Sequence, residues 1–295
     1  MPPAPSARPA LPPALDAERC TFDGLSCYVA GSGPPLLLVH SVNAAASAAE
    51  VRPLFEHART HRQVYALDLP GYGHSDRRAR AYTPRLMTDA LHAAAAQIRR
   101  RCGPGPVDAL AVSLSCEFLA RAAAERPAEW RRLALVSPTG FNGTRPRRGP
   151  PGGTLAKPRL LALLNVPLWS DALFRGLTRP GVVRYFLKRT WGGPAIDEAM
   201  WAYAVATARQ PGARHAPLAF LSGALFSTDI HAVYESLAPP VWVSHGVRGD
   251  FTDYRGLAPF EARPNWRVSV FDTGALPYFE QPAAFCSQLD AWMPT

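Results

Sequence analysis

Apolar residues along this chain fall into short unbroken runs separated by stretches with helical spacing. Leu36-Leu37-Leu38-Val39-His40 is such a run, set between backbone breakers. That is the pattern of a strand buried on both faces of a parallel sheet, since a strand with one wet face would alternate. From Ser47 to Arg59 the apolar residues Val51, Leu54, Phe55 and Ala58 share one helical face, and Val64 to Leu67 is a second buried strand. Thr83 and Pro84 lead into Leu86, Ala90, Ala93, Ala94 and Ile98, which predicts a helix capped by the threonine with proline in its first position. Upstream, Thr21-Phe22 and Leu25 to Ala30 form a short hairpin closed at Asp23-Gly24.

The same alternation repeats, with Val107 to Val112 as strand, Ser115 to Glu125 as helix and Leu133 to Val136 as strand. Strands and helices in this order imply the α/β class, a doubly wound, mostly parallel sheet whose ligand sits beyond the carboxyl ends of its strands. Asn142 to Gly153 is a linker rich in Pro, Gly and Arg, and from Leu155 to about Leu225 the pattern is helical without strands. The sheet resumes with Val241 to Ser244 and Arg267 to Phe271, and Pro282 to Trp292 closes the chain as a helix. The expected organisation is a disordered Pro/Ala-rich tail over 1–19, an α/β core over 20–141 and 226–295, and a helical cap inserted at 142–225.

Composition narrows the function classes. With 295 residues, 47% of them hydrophobic, the chain can bury one large core. Its formal charge of +9 comes almost wholly from arginine, because Lys157 and Lys188 are the only lysines. The basic residues form short clusters at Arg77-Arg78, Arg99 to Arg101 and Arg145 to Arg148, without the aromatic-laced stripe that nucleic-acid binding needs. Five cysteines at irregular spacing suggest neither a disulfide framework nor a zinc site, and favour a reducing compartment. Met1 to Asp16 has no apolar core of a signal peptide, and no apolar run approaches the roughly 20 residues of a membrane span. A soluble cytoplasmic protein, without cofactor, metal, nucleic acid or membrane contact, is expected; the oligomeric state is left open.

Several motifs agree in order and spacing with one family. Asp68-Leu69-Pro70-Gly71-Tyr72-Gly73-His74-Ser75 follows a strand, Ala111-Val112-Ser113-Leu114-Ser115 joins a strand to a helix, and His40-Ser41-Val42 closes another strand. The chain from about Thr21 onward resembles the α/β-hydrolase superfamily, with its D-x-P-G-x-G-x-S loop, its G-x-S-x-G nucleophile elbow and its His-Gly-x turn. The resemblance implies Ser113 as nucleophile, the amides of Val42 and Leu114 as oxyanion donors, and the insertion as a cap over the pocket. It places the acid in His245-Gly246-Val247-Arg248-Gly249-Asp250, one residue late, with Asp250 preferred over Asp253. It places the base in Thr273-Gly274-Ala275-Leu276-Pro277, where the family has G-H-x-P and this chain has Ala275.

A serine hydroxyl is a poor nucleophile until a neighbouring base takes its proton. Among the other imidazoles, His40 and His245 read as structural, and His57, His61, His74 and His92 map away from Ser113. His231, near the end of the insertion, is the alternative base. Glu117 and Cys116 follow the elbow closely, but a helix position and packing explain them. The apolar cap residues, Leu160 to Leu164, Val166, Leu168-Trp169, Leu173-Phe174 and Tyr185-Phe186, point to a small or medium-sized hydrophobic ligand. The chain thus reads as an atypical hydrolase, or a cofactor-independent lyase or isomerase, with a catalytically silent ligand-binding or scaffold protein as the alternative; whether it is an enzyme stays open.

Overall fold

The computed structural model describes residues 10–295. Eight strands form one sheet: β1 (Glu18–Phe22), β2 (Leu25–Ala30), β3 (Pro35–Val39), β4 (Gln63–Asp68), β5 (Val107–Val112), β6 (Trp130–Val136), β7 (Val241–Gly246) and β8 (Trp266–Phe271), in spatial order β1-β2-β4-β3-β5-β6-β7-β8. β1 and β2 are antiparallel at one edge, and the remaining pairings from β4 to β8 are parallel. Asp23 and Gly24 both take positive φ in the β1–β2 turn, the geometry whose twist suits a two-residue hairpin.

Helices cover both faces. They are α1 (Arg52–Ala58), α2 (Pro84–Cys102), α3 (Ser115–Glu125), α4 (Pro158–Leu164), α5 (Ser170–Leu177), α6 (Pro180–Trp191), α7 (Glu198–Ala208), α8 (His215–Leu221), α9 (Ile230–Glu235), α10 (Ala258–Glu261), α11 (Pro277–Glu280) and α12 (Pro282–Trp292). Thr83 caps α2 as its position before Pro84 requires, its Oγ1 accepting from Leu86 N at 3.2 Å. Alternate side chains of β3 feed two cores. Leu37 and Val39 join Leu91, Leu119 and Phe141 on one face, while Leu36 and Leu38 join Phe55, Trp242 and Phe285 on the other. This two-sided burial is why β3 shows no alternation in the sequence.

The helix expected over Ser47 to Arg59 begins instead as a 3-10 turn, Ala48–Val51, before α1; the change of helix type falls two residues ahead of Pro53, whose missing N–H would cost a bond deeper inside a helix. The disordered tail expected over 1–19 is corrected where the chain is described: Leu15 is buried, Ala14 N donates to Tyr28 Oη at 2.8 Å, Tyr203 donates to Pro12 O, and β1 already begins at Glu18. Residues 1–9 of that tail lie outside the described residues. Helices α4 to α8 fall within the stretch expected as the cap. Among the described residues no helix is long and apolar enough to cross a membrane.

Candidate active site

Three strand ends bring the site together. Ser113 lies at the join of β5 and α3, half-buried, with φ at +56°. A non-glycine residue held there is strained, and such strain persists only where the surroundings over-determine it. Here Ser113 N donates to Val136 O on β6 at 2.8 Å, and Ser113 O accepts from Cys116 N at 3.1 Å. The elbow's flanking glycines are replaced by two small residues that are fully buried, Ala111 and Ser115, and the Ser115 hydroxyl donates to His40 O at 2.6 Å. That bond ties the elbow to the turn after β3.

The turn is built around a buried carboxyl. Glu50 accepts from Ser41 N at 2.5 Å and from the Ser41 hydroxyl at 2.8 Å, and Asn43 Nδ2 donates to the same hydroxyl at 3.0 Å. Burial pushes Glu50 up to about 7, against the lowering effect of these two bonds. Between Ser41 and Asn43, Val42 N has no acceptor among the described residues, and neither does Leu114 N beside Ser113; both residues are buried. Buried amides without partners are rare, and an anionic oxygen is the group they suit. The D-x-P-G-x-G-x-S loop supports the turn from below: Asp68 accepts from Ala48 N and His74 N, and a Cβ at Gly73 would fall 1.9 Å from the Asp68 carboxyl carbon.

The positions expected for the acid and the base look different. Asp250 is exposed and pairs with Arg189 of α6 at 2.5 Å, so the structure places the expected acid on the surface beside α6 rather than on an imidazole. Asp253 is held by Arg255 and Gly143 N, which keep its carboxyl well below its ordinary value. Ala275 is buried; its N–H donates to Thr190 O at 2.9 Å and its carbonyl accepts from Ser137 Oγ at 2.7 Å. Glu280 accepts from Gly274 N at 2.6 Å and from Arg248 at 2.5 Å, joining the loop after β7 to the loop after β8. The carboxyl end of α6 sits directly on both loops, with Arg189 O also accepting from Asp250 N.

Every imidazole the sequence singled out has other work. Leu69 N donates to His40 Nε2, so the neutral His40 ring gives its Nδ1 proton to Ser41 O, and burial lowers its pKa. His231, the expected alternative base, accepts the Arg147 N–H at 2.8 Å through Nδ1, with ring contacts to Phe141 and Phe260, and burial again lowers its pKa. His245 stacks on Tyr254 at 3.9 Å and bonds Gly246 O. His92 meets Glu125, His74 bonds Pro12 O, and His57 and His61 meet Asp290. Among the described residues no hydrogen bond joins an imidazole, or any other side chain, to the Ser113 hydroxyl.

Glu117 is fully buried and fastens α3 to Thr139 Oγ1 at 2.6 Å and Ser227 N at 2.9 Å, a joint between the core and the returning end of the insertion. Cys116 is buried against Ala111 O, and burial pushes its thiol up, away from reactivity. The apolar residues expected to line a cap divide: Phe174 is buried, whereas Leu163, Leu168, Trp169, Tyr185 and Phe186 are exposed. A helix as short as α4, with none of its residues buried, cannot aim its whole apolar stripe inward. Phe174 and Ala208 line a cavity of about 530 Å³ between α5, α7 and the 209–214 loop, rimmed by Arg175, Arg179 and Arg214, and they pack on Ala44 and Ala45 just beyond Val42. The sequence reading missed Glu50, for which no local motif exists.

A family model described as the alpha/beta hydrolase fold matches residues 34–180. Among solved structures, the chain is similar to a serine hydrolase involved in carbazole degradation (17% identity, 94% of this chain and 97% of that one, TM-score 0.72). It is also similar to the epoxide hydrolase CorEH (19%, 93% and 97%, 0.69) and to the carboxylesterase CesB from Bacillus subtilis (15%, 95% and 91%, 0.67). No curated protein matches the sequence significantly.

Proposed function

The chain belongs to the α/β-hydrolase-fold superfamily, and from that premise we propose that it is an atypical member acting on a small or medium-sized hydrophobic ligand. Ser113 and the amides of Val42 and Leu114 stabilise an oxyanion, without a triad histidine. The observation that carries this reading is the strained Ser113 at the strand-to-helix join, together with the amides of Val42 and Leu114, in two buried residues, from which nothing among the described residues accepts. A preorganised pair of donors is worth several kcal/mol to a developing alkoxide or enolate even where proton transfer is poor. Removal of one triad member leaves about 10³ to 10⁴-fold acceleration from the oxyanion hole and binding alone. Weak ester hydrolysis, or a lyase or isomerase step in which the ligand supplies its own acid or base, fits these parts.

The second reading, a ligand-binding protein without turnover, is favoured by the lock between the loops after β7 and β8. Arg248, Glu280 and the end of α6 hold there what an acid and a base would otherwise occupy. A fluorophosphonate probe and a panel of p-nitrophenyl esters separate the two. Slow turnover and labelling that both vanish in Ser113→Ala support the enzyme; ligand binding with neither, in wild type and variant alike, supports the binder. Fast Ser113-dependent turnover would refute both, since it needs a base.

A further inference from the structure

On the side of the molecule that carries the chain's last helix, His57 at the end of α1, His61 just beyond it and Asp290 of α12 point their donor atoms at one another. His57 Nε2 lies 2.8 Å from Asp290 Oδ2, and His61 Nε2 lies 3.3 Å from Asp290 Oδ1. One ligand atom from each of the three residues falls within 4.8 Å of the others. We propose that these residues form a binding site for a divalent first-row cation, zinc being the natural occupant for two imidazoles and one carboxylate.

The hydrogen bonds fix how each ring is presented. The Thr60 hydroxyl has a single proton, and it goes to His57 O at 2.8 Å, because a carbonyl can only accept. The 2.9 Å contact between Thr60 Oγ1 and His61 Nδ1 must therefore be donated by the ring. In its neutral form the His61 ring then turns a bare Nε2 toward a carboxylate oxygen, two acceptors face to face, an arrangement that either a second ring proton or a metal cation between them resolves. A ligand ring whose second nitrogen is held by a hydroxyl is also how protein metal sites orient their histidines.

The dimensions are close. Ligand bonds of about 2.0 to 2.1 Å in a tetrahedral site put donor atoms roughly 3.3 Å apart; one measured separation matches that value and the other, at 2.8 Å, falls short of it by an amount that a small rotation of the His57 ring supplies. All three side chains are about one third exposed or more, 35%, 31% and 42%, so water can complete the shell. Among the described residues no guanidinium pairs with the Asp290 carboxylate: Arg59 is engaged by Glu56 and Asp16 O, and Arg62 by Asp108 and the carbonyl of Pro294. A bound ion would clamp the last helix to α1, residues 233 positions apart in sequence. Cysteine spacing could not disclose such a site, since its ligands are histidines and an aspartate from opposite ends of the chain.

The test uses the full chain without an affinity tag, stripped with EDTA and titrated with zinc and, for its visible spectrum, with cobalt. We expect one equivalent bound below about 100 µM and a melting temperature that rises as the site fills, as ligand binding to the native state requires. The gain should reverse with EDTA and be lost in Asp290→Asn and in His61→Gln, while Ser113→Ala keeps it. Because each variant is read by bound metal per folded protein, a change in stability alone does not mimic the loss. Absence of stoichiometric binding in wild type, or binding retained in both variants, would overturn the site.

Discussion

The hydroxyl of Ser137 donates to the carbonyl of Ala275 at 2.7 Å, and Ala275 N–H donates to Thr190 O at 2.9 Å. Both backbone polar groups of the residue expected at the family's base position are thus pinned, one by a side chain just beyond β6 and one by the end of α6. Restoring the imidazole by Ala275→His would place it on a fixed backbone but leave it without an orienting acid, since Asp250 is spent on Arg189. Loss of the orienting carboxylate costs a triad about 10⁴ in turnover. Ala275→His should therefore hydrolyse p-nitrophenyl butyrate within about tenfold of wild type. A gain of several hundredfold in initial rate would mean that an acid is within reach of residue 275.

The strain at Ser113 gives a second prediction. Its hydroxyl has no hydrogen-bond partner in the described chain, so removing it forfeits no bond, whereas glycine tolerates a φ of +56° without penalty. A left-handed non-glycine costs roughly 1 to 3 kcal/mol, and glycine returns part of that by enlarging the unfolded ensemble. Ser113→Gly should be more stable than Ser113→Ala by about 1 kcal/mol in urea unfolding. The reverse order would remove the case for strain held in place for function.

How far these features were legible in the sequence depends on the range of the interaction. β3, β5 and α12 were readable because burial on two faces, or a proline start with helical spacing, leaves a local pattern. Ser113 was readable because an elbow is five consecutive residues. Asp250 was misplaced because a loop slip of one residue decides whether a carboxyl faces inward, and here Arg189, sixty-one positions away, draws it outward. Glu50 left no mark because its partner Ser41 is nine residues off in a turn with no fixed spacing. Leu15 and its neighbours read as a tail because composition cannot report that Tyr28 and Arg59 would hold them.

Glu50 makes stability depend on pH in a direction opposite to most carboxylates. Burial raises it from its ordinary 4.5 to about 7, so between those values the native protein keeps a proton that the unfolded chain has released. Stability from this group is greatest at the acid end, declines as pH rises through that window and levels off above 7, by up to about 3 kcal/mol in all. His40, lowered by burial, slopes the other way, so the measurement must be a difference. Urea unfolding at pH 5 and pH 7.5 should show Glu50→Gln gaining on wild type as pH rises. A parallel pH profile for the two proteins would place the Glu50 carboxyl in an ordinary environment.

Contact between the end of α6 and the loop after β8 is close enough to be tested by one methyl group. A Cβ on Gly274 would lie 2.4 Å from Trp191 O and 2.5 Å from Thr190 O, both backbone atoms that cannot rotate away. Gly274→Ala must therefore push back the end of α6, and with it the acceptor of the Ala275 N–H. Overpacking of this kind costs about 1 to 3 kcal/mol. Hydrogen exchange should speed up at the Ala275 amide and through residues 189–192, while the sheet amides of β5 and β6 stay protected. Gly105→Ala is the control, because nothing lies within 4 Å of a Cβ there and its φ is outside the left-handed region; it should change stability by no more than about 0.5 kcal/mol. If the two variants behave alike, α6 is not seated on the loop, and the lock invoked for the binder reading dissolves with it.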